Sequence, residues 1–311
     1  MNPDRNLRSQ FAEMALEVGQ DDDRLVVIVG DISSGLMKPF SETCKGRFFN
    51  VGTMEPTMIS LSAGMAKVGL KPVVHTIAPF LIERAFEQIK LDFCYHELGG
   101  NIVAIGAGFD YSNLGSTHHC YNDFALLKTL PNTQITYPAS PLEFDVLFKE
   151  TYSNDKVTYF RLPAKAHSFD FDASSIELGK GIRVSEGDDL TVVVTGPQLD
   201  NAASIGSILA EEGKSCDILY LPTIRPLDED LIRSSAVKTR SVVVIEEHMR
   251  SGGLGEDILR VIYNIDGIRF YSASIPDQFV AGYGTYHELR RRVGLTSEQI
   301  LQAIQSRGLL N

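Results

Sequence analysis

The sequence predicts an α/β protein built from two doubly wound units, and three observations carry that reading. Short β-branched runs at 25–30 (LVVIVG), 71–76 (KPVVHT) and 101–106 (NIVAIG) recur at intervals that leave room for a helix. Between and around them, 5–19, 56–68 and 80–97 carry apolar residues at helical spacing. The same alternation restarts near residue 188, beyond a segment holding Asp170, Asp172 and the turn Gly179-Lys180-Gly181. Strands that are apolar throughout read as buried parallel strands. Their alternation with helices implies helices on both faces of each sheet.

The first unit, expected over 1–165, is completed by a strand at 134–137, a helix at 141–152 and a strand at 157–161. Residues 166–187 read as a linker. The second unit, expected over 188–311, has strands at 189–195, 216–220 and 241–245 and helices at 198–213, 228–235, 254–264 and 296–307.

Composition narrows the classes. A chain of 311 residues that is 43% hydrophobic can fill two cores. A net charge of −11 argues against nucleic acid or an anionic membrane surface as partner. It leaves room for a single phosphate held by local Arg or His. Residues 1–5 (MNPDR) carry no apolar signal region, and no 18-residue apolar run predicts a membrane span. Cys44, Cys94, Cys120 and Cys216 are scattered without a CxxC pair, which predicts reduced thiols and a cytoplasmic setting.

Candidate chemistry starts at Glu55, between the turn at Gly52 and Pro56. Proline suits a first helical turn. Met58, Leu61, Ser62 and Met65 are expected on the inner face behind it. Glu55 therefore reads as an acid at a helix N-terminus, held either by the dipole or as a reactive carboxyl in a dry pocket. The segments after the predicted strands, at Asp31, 76–80 and 106–119, belong on one rim, where ligands bind in such sheets. His118, His119 and Cys120 are consecutive, a poor arrangement for one metal ion, so no metal site is expected in this chain.

Further motifs follow in order. Gly52 and Glu55 with Ala63-Gly64-Met65-Ala66 resemble the pyrimidine-domain motif of the transketolase family. Gly115-Ser116-Thr117-His118-His119 resembles its Thr-His-Gln loop, and Leu130-Pro131-Asn132 with Thr136-Tyr137-Pro138-Ala139 resembles the stretch after it. Leu221-Pro222-Thr223-Ile224-Arg225-Pro226-Leu227-Asp228, then Glu246-Glu247-His248 and Gly252-Gly253-Leu254-Gly255, resemble the C-terminal domain. The resemblance covers nearly the whole chain. It implies a pyrimidine-binding domain, a transketolase C-terminal-like domain, and thiamine diphosphate as cofactor. Glu55 is then the carboxyl that hydrogen-bonds the aminopyrimidine ring and favours its imino tautomer. Phe80 is the aromatic that stacks on that ring, worth about 1 kcal/mol beyond area burial. Ile77 and Glu83 stand at the other aromatic positions, so the cofactor pocket is altered. His118 faces substrate, and side-chain alternation turns His119 away. Arg161 either grips a substrate phosphate or makes a structural ion pair, with Arg84 and Ser34 as further substrate contacts and Asp31 as a cofactor contact or a helix cap. Glu246-Glu247-His248 reads as structural or as an interface feature. Leu114 replaces an aspartate that reads a donor hydroxyl in sugar-using members, which leaves Asp110 and Tyr111 as stand-ins.

The Gly-Asp-Gly motif that binds diphosphate and Mg²⁺ in this family is missing, and Gly30-Asp31-Ile32 is not a version of it. The family also exists in split form, and the chain resembles the half without that motif. The resemblance therefore implies a partner subunit carrying the diphosphate-binding domain and most of the Mg²⁺ contacts, self-association within an α2β2 assembly, and inactivity alone. The implied activity moves a two-carbon ketol unit from a ketose or sugar phosphate to an aldehyde. Alternatives are a 2-oxoacid dehydrogenase E1 β-type subunit and a 1-deoxyxylulose-5-phosphate synthase-like enzyme, which Arg84-Ala85-Phe86-Glu87-Gln88 resembles. A non-catalytic scaffold subunit is the alternative of another class. Leu114, Ile77 and Glu83 favour it; retention of Glu55 opposes it.

Overall fold

The computed structural model describes residues 6–310, so the reading of 1–5 lies outside the described residues. Twelve strands follow in order: β1 Leu25–Val29, β2 Phe48–Asn50, β3 Lys71–Ile77, β4 Gly100–Ile105, β5 Thr133–Thr136, β6 Val157–Leu162, β7 Ile182–Ser185, β8 Leu190–Val194, β9 Cys216–Tyr220, β10 Thr223–Arg225, β11 Ser241–Met249 and β12 Arg269–Ile275. They form two sheets, ordered β10-β5-β6-β4-β3-β1-β2 and β12-β11-β8-β9-β7. All pairings are parallel except at one edge of each sheet, where β10 and β7 run antiparallel.

The apolar strands are buried on both sides, as their sequences require. In β1, Val26 and Ile28 pack with Met58, Ile59, Leu81 and Ile82, while Leu25, Val27 and Val29 pack with Phe11, Met14, Phe144 and Phe148. Each such side chain contributes about 1.5–3 kcal/mol by leaving water. The α/β class and the helices on both faces are as the sequence predicts. No described helix is long and apolar enough to cross a membrane.

The differences are local. Residues expected as linker include β7, which extends the second sheet. Residues 223–225, expected in the second unit, instead pair with β5 and extend the first sheet. A three-residue strand between Pro222 and Pro226 leaves no periodic signal, so only the folded chain reveals it. The helix expected over 80–97 is broken into π turns at Pro79–Glu83 and Ile89–Tyr95 around one α turn at Phe86–Gln88. Such turns shift the helical phase and concentrate at functional sites. The helix Glu55–Lys67 buries Met58, Ile59, Ser62 and Ala63, whereas Leu61, expected inside, is exposed.

Candidate functional site

The site grows from the rim where the parallel strands end. Glu55 is the first residue of the helix Glu55–Lys67, with Pro56 next, and only 1% of it is exposed. Its Oε2 accepts a hydrogen bond from Arg84 Nη1 at 2.8 Å. Its Oε1 is buried and has no partner in the chain. A buried carboxylate oxygen without a donor is costly, so such an atom asks for a ligand or a role.

The π turn after β3 supplies the next wall. Phe80 lies on it, and the Arg84 guanidinium covers the Phe80 ring at 4.3 Å. His118 meets Phe80 edge-on at 5.3 Å, and Tyr111 meets His118 at 6.0 Å. Glu55, Arg84, Phe80, His118 and Tyr111 thus form one continuous surface. The loop carrying the last two is set by glycines. Gly106 has φ +73°, and a Cβ there would lie 2.1 Å from the Tyr111 ring. Gly108 has φ +58° and sits against Glu247 Oε1.

The adjacent histidines point apart. His119 is buried against Phe109 and Tyr121, neither ring nitrogen has a hydrogen-bond partner, and burial holds its pKa down. Asp31 and Ser34 follow β1 on the same rim, but neither hydrogen-bonds to the Glu55 group. Asp31 instead exchanges hydrogen bonds with Asn50. The residue engaged in that loop is Ser33, whose Oγ accepts from Arg8 and meets His75 Nε2 at 2.9 Å. Ile77 ends β3 and is 7% exposed, packed in the core. Glu83 lies on the same π turn as Phe80, and burial pushes its carboxyl up.

Arg161 is placed elsewhere. It is 1% exposed, pairs with Asp123 Oδ1 at 3.3 Å, and donates from Nη2 to the Glu247 carbonyl at 2.9 Å. The rings of Tyr137 and Phe124 cover it at 4.5 and 4.9 Å. A guanidinium enclosed this way has no face left for a substrate phosphate. The structure reassigns it to a brace between the two sheets, together with Glu246-Glu247-His248. Glu247 accepts from the Phe109 N–H, Gln198 and Tyr286, and Glu246 accepts from the Leu254 and Gly255 N–H groups. Sequence reasoning missed Asp123 and Arg8, both isolated charged residues with no motif around them.

No group of metal-ligating side chains is gathered among the described residues. Thiamine diphosphate meets a fitting set of groups: the unpartnered Glu55 Oε1 for the pyrimidine ring and the Phe80 ring beside it.

The family model described as "Transketolase, pyrimidine binding domain" matches residues 4–167, and "Transketolase, C-terminal domain" matches residues 179–300. An apulose-4-phosphate transketolase subunit of Phocaeicola vulgatus is 29% identical over 296 residues, 94% of each chain. A 1-deoxy-D-xylulose-5-phosphate synthase of Desulforudis audaxviator is 30% identical over 302 residues, 95% of this chain and 47% of that one. A split-gene transketolase solved as an inactive β4 tetramer superposes with a TM-score of 0.88 at 30% identity, covering 98% of this chain and 99% of that one. On the matches to both domains and the shared architecture, the chain belongs to the transketolase family.

Proposed function

We propose that this chain is the pyrimidine-side subunit of a two-chain transketolase, which moves a two-carbon ketol unit from a ketose or ketose phosphate to an aldehyde. One observation carries the reading: a buried Glu55 oxygen with no partner in the chain, beside Phe80 and His118 on the rim of the sheet. The missing Gly-Asp-Gly motif and the end-to-end match to one subunit of another transketolase support a second subunit that holds the diphosphate and Mg²⁺. The β4 assembly of the similar split-gene enzyme, described as inactive, supports self-association of this chain within an α2β2 complex.

Bound thiamine diphosphate supplies the electron sink that makes cleavage beside a ketone feasible. The chain's residues do the rest. Glu55 would hold the pyrimidine ring through Oε1, the atom left without a partner in the chain. Phe80, now under the Arg84 guanidinium, would be the ring for stacking. His118, edge-on to both Phe80 and Tyr111, is positioned to hydrogen-bond a substrate oxygen and to hand over a proton. The apolar residues behind Glu55 exclude water from the reacting region.

The test is reconstitution. The purified chain alone is expected to be inactive with ketose and aldehyde substrates. Addition of its partner, thiamine diphosphate and Mg²⁺ is expected to produce ketol transfer. Full turnover by the chain alone would overturn the reading. The 30% identity to a 1-deoxyxylulose-5-phosphate synthase favours a second reading, ketol synthesis from a 2-oxoacid and an aldehyde phosphate. Carbon dioxide release from pyruvate in the same complex separates the two.

A further inference from the structure

Against Tyr111 lies a cavity of about 220 Å³. It sits at the C-terminal ends of β4 and β6 and is lined by Arg8, Asp110, Tyr111, Gly106 and Ala164 among others. Its polar groups are partly committed and partly free. Arg8 donates from Nε and Nη2 to Ser33 Oγ, at 3.2 and 3.1 Å, which fixes the plane of its guanidinium. Ser33 is held in turn by His75, itself bound to the Val103 carbonyl. Among the described residues Arg8 has no carboxylate partner, so Nη1 and its charge remain available. Asp110 accepts from the Ala164 N–H at Oδ2, 3.0 Å, which leaves Oδ1. Burial, then the neighbouring Glu247, push the Asp110 carboxyl up to about 7.

We propose that this cavity holds the hydroxylated, unphosphorylated end of the sugar chain, with Arg8, Asp110 and Tyr111 reading its hydroxyls. The assignment rests on the ketol-transfer reading and names the substrate class for it. The cavity opens next to Tyr111, which touches His118, so a chain whose reacting carbon lies at His118 extends into it. Hydroxyls suit the lining better than a phosphate does. A phosphate dianion needs several donors and a surplus of positive charge. Here Arg8 is the single cation among the described lining residues, and the lining also carries the Asp110 carboxyl. The Ala164 N–H, a natural phosphate donor, is already taken by Asp110. A sugar hydroxyl is both donor and acceptor. It can give to Asp110 and take from Arg8 at once. Leu114, 42% exposed, adds no competing polar contact.

The experiment uses the reconstituted complex with hydroxypyruvate as ketol donor and D-erythrose or D-erythrose 4-phosphate as acceptor. Wild type is expected to use the free sugar with kcat/KM at least equal to that for its phosphate. Arg8→Gln and Asp110→Asn are each expected to raise KM for D-erythrose about tenfold while kcat changes little, as loss of one hydrogen bond to a charged group implies. Tyr111→Phe removes only a hydroxyl and is expected to raise that KM a few-fold in a chain whose fold is undisturbed. Calorimetric titration of the complex with D-erythrose is expected to rank the variants in the same order. A tenfold preference for the phosphate, or unchanged KM in all three variants, overturns this assignment and leaves ketol transfer standing. Transfer to neither acceptor overturns ketol transfer, and this assignment with it.

Discussion

Two arginine–carboxylate pairs in this chain look alike on paper and differ in what they leave over. At the rim, Glu55 is 1% exposed and pairs with Arg84, whose side chain is 48% exposed. Between the sheets, Asp123 and Arg161 are both buried. Asp123 also accepts from Tyr159, and Arg161 also donates to the Glu247 carbonyl. No fully buried side-chain atom of the inner pair lacks a partner in the chain. The outer one keeps Glu55 Oε1 without a donor and leaves Arg84 half-exposed. A buried ion pair is weak evidence of function by itself. Unspent capacity at a buried atom is stronger evidence, because the fold has tolerated its cost.

The largest effect should fall on activity at the rim. Glu55→Gln in the reconstituted complex is expected to lower turnover by about 10²–10⁴-fold, the span of general acid–base contributions. The stability of the chain should change by less than about 1 kcal/mol, because one Glu55 oxygen is already unsatisfied. A turnover within threefold of wild type would break the comparison. The brace should behave the opposite way. Arg161→Met strands Asp123 as an uncompensated buried charge and is expected to cost about 3–5 kcal/mol in urea unfolding. Arg161→Met with Asp123→Asn should regain part of that loss. Unchanged stability together with a raised KM for phosphorylated sugars would return Arg161 to the substrate.

Most of the fold was legible because its strands are short apolar runs with helical patterns between them. What escaped depended on partners far along the chain. β10 is three residues that pair with β5 across nearly ninety positions, and β7 lies in a segment with no strand pattern of its own. In the site, Glu55, Phe80 and His118 came from ordered motifs, and the structure brings them together with Arg84. Arg161 was legible only as one of two things, because a buried ion-paired arginine and a substrate-gripping one share the same sequence context after a strand. Only Asp123, thirty-eight residues earlier, distinguishes them. Arg8 was invisible as one more polar position on an amphipathic helix.

Titration sharpens the comparison next. The Asp110 carboxyl is pushed up to about 7 in the folded chain, above its ordinary 3.8, by burial and then by Glu247. Between those values the folded state holds more protons than the unfolded one, so stability falls as pH rises from about 4 to 7 and levels off above. Against burial and Glu247, the Ala164 N–H and the fixed charge of Arg161 pull the carboxyl down over the same window. Asp110→Asn is expected to flatten this part of the stability–pH curve, read by urea midpoints at pH 5 and 8. An unchanged slope would show that Asp110 ionises freely. Smaller again is Phe80→Ala. Loss of aromatic stacking worth about 1 kcal/mol should weaken thiamine diphosphate binding to the complex about fivefold, by calorimetry.

The smallest effect is the most discriminating, because its sign is informative. Arg84 now covers the Phe80 face, one of the two contacts that the pyrimidine ring is proposed to use, and holds Glu55 through Oε2, leaving Oε1, the other contact, open. If the ring displaces the guanidinium, the half-exposed ion pair must be given up, at a cost of about 0.2–1 kcal/mol. Arg84→Met removes that competitor. Thiamine diphosphate should then bind the complex up to about fivefold more tightly, while the isolated chain loses a little stability because Glu55 loses its donor. If Arg84 instead stays on Glu55 and steadies it while Oε1 takes the ring, the same substitution weakens binding. Calorimetric titration of the two complexes therefore decides whether the arginine at the rim is a placeholder or a support. The inner arginine offers no such choice, since Arg161 has no open face from which to leave.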